Sequence, residues 1–464
     1  MINLIKNEYY KIFHKKATYV VLFLILLIVI FDNYLYKTDY ENKVVNDPYT
    51  KQQLNEMQQE INNFDKTKDI KNLITMEIEY DSLSFEQKHD ERWQLVTYQE
   101  YVSPKVKEYF NKKYRDKIED NNLKTEINKL KKKIDNNEYK YFYEQMVDNN
   151  KRVLNNLTNK EDILYRQNNG MKKIYEYRLK NDIPATENNY LSKALYALED
   201  NLGAKIAYET ALTEKEKNDN KTFYGIFKEN EYIIQHKVNN NNAFHKIMIN
   251  FFNEYFTLII IFLVMIAGNI ISEEYNKGTI KNLLITPYTR TQIYFSKFIT
   301  IISLIPLITL IILVYQLIVG SIFFSIKPLL APEIRFNYKL NTVEIMPMFK
   351  YILLNFLTIS PELILLSTLA FAISTIIGNG AASIVITLIF RLFSSLINAF
   401  TLLPKTNFLK YFVTANWDLS YILFGETSKY NVSLPISIII CIFYLIIMII
   451  TSLLVFKNKN IKNI

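Results

Sequence analysis

The chain has 464 residues, 49% hydrophobic and 22% charged, with a net charge of +9. A mean hydropathy near zero fits a soluble protein only as an average: apolar residues gather near the N-terminus and in the C-terminal half, while roughly residues 38–245 are crowded with Lys, Glu, Asp and Asn. The basic residues cluster beside apolar runs or mix with acids, a pattern of membrane flanks rather than of a nucleic-acid surface.

Residues 1–16 place Ile5, Tyr9, Ile12 and Phe13 on one helical face and Lys6, Lys11 and Lys15 elsewhere. This is expected to be an amphipathic helix in the membrane interface, apolar side in lipid and lysines near anionic headgroups. The alternative is a basic flank that only fixes topology. An apolar run follows at 17–36, long enough to cross a hydrocarbon core of about 30 Å. Phe31-Asp32-Asn33-Tyr34 after it lacks the small residues of a cleavage site, so it is read as an anchor.

Residues 38–245 hold only Pro48, Pro104, Pro184, Gly170, Gly203 and Gly225 as breakers, so long helices are expected. Leu123, Ile127, Leu130 and Ile134 form an apolar seam on an otherwise wet helix, and Leu191, Leu195, Leu198 and Leu202 form another, with Thr186 and Asn188 as expected caps. The seams are short for a coiled-coil dimer and predict packing within one helical domain.

Five further apolar runs lie at 247–271, 298–325, 351–377, 381–403 and 434–456, giving an all-α polytopic membrane protein with six transmembrane helices and a mainly helical insert. Lys6, Lys11, Lys15 and Lys16 before the first run put the N-terminus in the cytoplasm, and the tail 457–464, with Lys457, Lys459 and Lys462, agrees. The insert would then be extracellular. The loop between the third and fourth runs, with Lys327, Arg335, Lys339 and Lys350, is as basic as the loop 273–297 and does not discriminate.

No Gly-x-x-x-x-Gly-Lys occurs among the nine glycines, so the chain is expected to bind no nucleotide or other cofactor itself and to be non-catalytic. His14, His89, His236 and His245 lie apart, without Cys or carboxylates at ligand spacing; they read as solvated, with no metal site. The single Cys441 precludes an internal disulfide. Glu362, after Ser360-Pro361, and Arg391 fall inside apolar runs, where charge is costly unless paired. An ion pair between them is expected, the alternative being separate snorkelling to headgroups. Pro361 is expected to kink or break its helix.

The segment 273–297 carries the strongest functional signal. Gly278 turns the chain, Thr279 caps a short helix with Ile280, Leu283 and Leu284 on its apolar face, and Thr286-Pro287 ends it before a new helix begins near Thr289. Such a helix needs a partner groove or lies on the bilayer. The succession Glu274, Gly278, Thr279, Leu283, Leu284, Pro287, Arg290 and Lys297 resembles the signature of ABC-2-type transporter permeases, and Lys6, Glu8, Lys11 and Lys15 are similar to the start of many of them. The resemblance covers 1–37 and 247–464 and leaves out the insert. It implies a six-helix half-transporter that pairs with a second permease copy or paralogue and with two ABC ATPase subunits, which supply ATP and Mg. Glu274, Gly278, Thr279, Ile280, Leu283, Leu284, Pro287 and Arg290 would couple to the ATPase, and 404–433, with Trp417, would dip back into the outer leaflet. Export of an amphipathic or hydrophobic substrate (an antimicrobial peptide, lipid or drug) across a bacterial membrane is the expectation. The alternative is an ATP-driven sensor or mechanotransmission complex that signals through the insert. The abundance of Ile, Lys and Asn, pointing to an AT-rich coding sequence, fits a low-GC bacterium.

Overall fold

The structure, a computed structural model, describes residues 1–41, 48–64, 69–239, 243–280, 287–325, 331–400, 404–426, 428, 430 and 432–459. The chain divides into two compact units, one of Met1–Thr38 with Asn240–Ile464 and the other Asp39–Asn239.

The first unit is an all-α polytopic membrane fold. Among the described residues it has six long apolar helices, here the first to sixth spans: Lys16–Thr38, Phe251–Asn276, Arg290–Phe323, Met348–Ile377, Gly380–Phe400 and Leu434–Asn458. The second and fourth spans are the most enclosed and the fifth and sixth the least, because the second packs on the third, fourth and fifth while the sixth meets mainly the fourth. Small residues permit the closest of these approaches. A Cβ on Gly380 would sit 2.3 Å from Asn269 Oδ1, and Ser374 Oγ donates 2.5 Å to the Gly268 carbonyl, so helix backbones meet where lipid offers no hydrophobic drive to bring them together.

The first span is tied to its neighbours by amides. Asn33 and Gln316 exchange hydrogen bonds of 2.9 and 3.1 Å, and Tyr255 donates to Gln316 Oε1 at 2.8 Å, all three buried.

Of the kink or break expected at Pro361, the break does not occur: the fourth span runs on as one helix through it. Proline removes the N–H that would bond the Leu357 carbonyl, and Ser360 Oγ donates to that carbonyl instead at 2.8 Å. Between the third and fourth spans, where only a basic loop is expected, Glu333–Asn337 and Thr342–Met346 form an antiparallel hairpin with Arg335 opposite Glu344. Asn337 Oδ1 closes its turn by accepting from the amides of Lys339 and Leu340 at 3.0 and 2.9 Å. The stretch after the fifth span forms three short 3-10 turns, Pro404–Tyr411, Val413–Ala415 and Ser420–Phe424. Asn416 pins them, donating to the Lys410 and Phe412 carbonyls and accepting from Ser437, while Trp417 is buried against Phe390.

The second unit is helical, with its own core. Leu123, Ile127, Leu130 and Ile134 are buried along Asn121–Asp135 and meet Trp93, Phe142 and Met146. Asp120 caps that helix by accepting from Leu123 N at 2.9 Å. The helices Tyr190–Thr210 and Glu214–His236 form a hairpin, buried through Leu195, Leu198 and Leu202. Its first helix is capped by Asn189, accepting from Leu191 N at 2.9 Å, rather than by Thr186 or Asn188; Thr186 is held instead by Glu91 at 2.8 Å.

Candidate functional site

The terminus-side ends of the first three spans are joined by charge. The helix Ile2–Phe13 turns Leu4, Glu8 and Ile12 into the protein rather than into lipid, because Glu8 has a cationic partner there. Lys297, near the start of the third span and 1% exposed, reaches Glu8 at 2.9 Å, Glu274 at 3.5 Å and the Ile270 carbonyl at 3.1 Å. Lys11 closes the set at 2.6 Å from Glu274 and 3.5 Å from Glu8. Two ammonium groups and two carboxylates therefore balance in one cluster, with Lys297, Glu8 and Glu274 buried and Lys11 half-buried at its edge. Burial alone would lower the Lys11 ammonium, but its hydrogen bond to Glu274 and the two nearby carboxylates hold it above its ordinary value. Lys15 pairs with Glu273 at 2.5 Å, and Tyr9 donates to Ser303 at 2.8 Å.

The segment from Gly278 hangs from this cluster. Gly278, at φ +67°, turns the chain out of the second span, and Thr279 donates to the same Glu274 carboxylate. Ile280 is buried in the membrane unit's core, which corrects its expected place on an exposed apolar face: its position directly after the turn folds it back on the spans. Leu283 and Leu284 lie outside the described residues. Past Pro287, Thr289 caps the third span in a reciprocal box with Gln292. Arg290 donates to the Lys457 and Lys459 carbonyls at 2.6 and 3.1 Å, capping the end of the sixth span. Lys459 reaches the Thr375 and Ile376 carbonyls at the end of the fourth, and burial lowers its ammonium. Thus Glu274, Thr279, Arg290 and Lys297 form one stitched end of the bundle.

Glu362 and Arg391 also meet. Arg391 Nε lies 2.6 Å from Glu362 Oε1, without the alignment of a hydrogen bond, and its NH1 donates to Ser394 at 3.3 Å. At 1.5 Å per residue they stand roughly 22 Å from Ile377 and roughly 16 Å from Gly380, away from either helix end.

Two histidines correct the solvated reading. His245 is buried, 3.3 Å from Glu333, which Arg335 also holds at 2.5 Å; the unseen hairpin brings that carboxylate in. His89 is buried in the second unit, stacked on Phe85 and 2.9 Å from Asp135. His14 and His236 are exposed. Among the described residues, no group of three or more His, Cys, Asp or Glu is placed to hold a metal ion.

The second unit has its own buried ionic site, which sequence reasoning missed. Arg178 is sandwiched between the Tyr143 and Tyr196 rings at 4.8 and 4.7 Å, donates to Ser192 at 2.8 Å, and lies 4.0 Å from Glu199. Burial pushes the Glu199 carboxyl up to about 7, with Arg178 and Arg92 opposing only part of it.

Six apolar spans, stitched at one end and joined through buried polar pairs, define a multi-pass membrane protein. More particularly, the chain belongs to the family described as protein of unknown function (DUF2705), which it matches over residues 219–462. It is similar to the uncharacterized protein YhcI of Bacillus subtilis strain 168, at 27% identity over 235 residues, 50% of this chain and 75% of that protein. It is also similar to the uncharacterized membrane protein YdbK of the same strain, at 24% over 200 residues, 43% of this chain and 76% of that protein. No solved structure matches.

Proposed function

We propose that this chain is the non-catalytic, membrane-spanning subunit of an ATP-driven exporter, similar to ABC-2-type permeases, with both termini cytoplasmic and the insert extracellular. It pairs with a second permease chain and two ATPase subunits, which bind the ATP and Mg, and it moves an amphipathic or hydrophobic substrate. One observation carries this reading: Lys297, Glu8, Lys11 and Glu274 lock three helix ends together, Glu274 holds Thr279 at one end of the segment 278–289, and Arg290 just past the other end is tied to the sixth span, so a push on that segment is delivered to several spans at once. A motor protein that grips a loop needs a stiff attachment of this kind. Leu283 and Leu284 are the proposed gripping side chains, Gly278, Thr279, Pro287 and Arg290 the mounts.

The test is purification from host membranes. The unaltered chain is expected to bring an ATPase with it, and L283D/L284D to lose that partner while reaching the membrane in normal amount; retention of the partner by the double variant would sink the reading. A second reading, a complex that signals through the insert without transport, is favoured by the insert's separate hydrophobic core. Substrate-stimulated efflux from proteoliposomes separates the two.

A further inference from the structure

Between the N-terminal helix with the first turns of the first span and the last turns of the second span lies a cleft of about 420 Å³, within the range of sites that hold small molecules. Its walls are mainly apolar, with Ile12 and Val21 on one side and Phe262, Met265, Ile266 and Ile270 on the other, interrupted by Thr18 and Asn269. Its mouth is ionic, lined by Lys11, Lys15, Lys277, Glu8, Glu273 and Glu274.

The three lysines and three glutamates of the mouth balance by number, and the buried Lys297 behind them adds a fourth ammonium group. Glu8 and Glu274 are satisfied by Lys11 beside them and by Lys297 in the interior. That leaves Lys15, at 2.5 Å, and Lys277, at 3.5 Å, sharing the single carboxylate of Glu273. One positive charge is left over, on ammonium groups that each have three donors. Lys277 is 66% exposed, so its head is free to meet a further acceptor. The mouth stands where two spans end, which is headgroup depth, and the walls run from there toward hydrocarbon depth.

We infer that this cleft seats one anionic phospholipid of the leaflet on the side of the termini, its phosphate on Lys15 and Lys277 and one acyl chain along Val21, Met265 and Ile266. Phosphate alone leaves the apolar walls wet, and an apolar compound leaves the surplus cation unanswered; an anionic lipid matches both. Lys277 immediately precedes the Gly278 turn, so the bound headgroup holds the base of the 278–289 segment. The inference needs only the membrane fold and stands apart from the transport reading.

The test uses the full chain in vesicles, with Met265→Cys carrying a bimane fluorophore and, on the facing wall, Val21→Cys as an independent reporter. The native Cys441 is buried. Phosphatidylglycerol and phosphatidylcholine, each with a nitroxide on one acyl chain, are titrated into unlabelled phosphatidylcholine. Quenching by phosphatidylglycerol is expected to reach half its maximum at a mole fraction roughly tenfold lower than for phosphatidylcholine. K15Q/K277Q is expected to erase that preference and leave the phosphatidylcholine curve unchanged. Equal curves for the two lipids in both reporters would overturn the site as mere annular contact. Relief of the phosphatidylglycerol preference by inorganic phosphate at matched ionic strength would overturn the lipid and assign the lysines to a free anion.

Discussion

Each unit sets an arginine beside a buried glutamate, and the two pairs are built differently: Arg178 is fully buried, whereas Arg391 is only half-buried. In the membrane unit Arg391 touches Glu362 directly, at 2.6 Å, with Phe256 farther off at 5.6 Å. In the insert Arg178 stands 4.0 Å from Glu199, and its nearest support is two tyrosine rings, a serine and the Pro184 carbonyl. Where the surroundings supply acyl chains, a charge must find its opposite at contact distance. In a water-bathed domain, rings and dipoles can hold the cation and leave the carboxylate poorly compensated.

The sharpest way to break this contrast is at Arg391. Arg391→Leu strands a buried carboxylate and is expected to cost about 3–5 kcal/mol, while Glu362→Leu with Arg391→Leu returns most of it, because two matched apolar residues leave nothing unpaired. Thermal unfolding of the detergent-solubilised protein reads both; a double variant as weak as the single one would mean the pair is not the unit of stability. The same cycle in the insert should come out differently. Arg178→Leu with Glu199→Leu is expected to remain about 1–3 kcal/mol below the native chain, since the ring contacts and the Ser192 bond go with the arginine. Full recovery would erase the distinction between the two sites.

The smallest effect concerns protons. The folded insert holds Glu199 at about 7, so between about 4.5 and about 7 it keeps a proton that the unfolded chain has released. Its contribution is therefore complete below about pH 4.5 and is lost as pH rises through that window. The unfolding midpoint followed by Trp93, buried near Phe142 and Tyr139, is expected to fall by several degrees from pH 5 to pH 8. Glu199→Gln should flatten the dependence, and an unchanged slope would assign it to another group.

What the sequence revealed followed from how local each signal is. Apolar runs and the Leu123 to Ile134 seam are written in neighbouring residues, and both are read without tertiary knowledge. Caps, not hydropathy, set where a helix starts: the Thr289–Gln292 box begins the third span's helix at Arg290, beside the start expected near Thr289 and ahead of the apolar run at 298. The hairpin went unread although Ile334 and Phe336 face Val343 and Ile345 in short alternation around an Asn-rich turn, since strands of five residues are easily lost among basic loop residues. Glu274 and Lys297 stood out by their place in a motif, but their union with Glu8 and Lys11 joins positions more than 250 apart and only the fold supplies it. Arg178 and Glu199 carried no signal, because each looks like any other charge on a polar helix.

The amide exchange between Asn33 and Gln316 has a consequence for rotation. The first span is apolar around nearly its whole circumference and little of it is enclosed, so greasy contacts leave its azimuth almost undetermined. A helix turns about 100° per residue, so slipping the first span by one position swings Asn33 away from Gln316 and Tyr255. Three polar groups thereby set the rotation of the first span about its own axis, as a keyway sets a shaft.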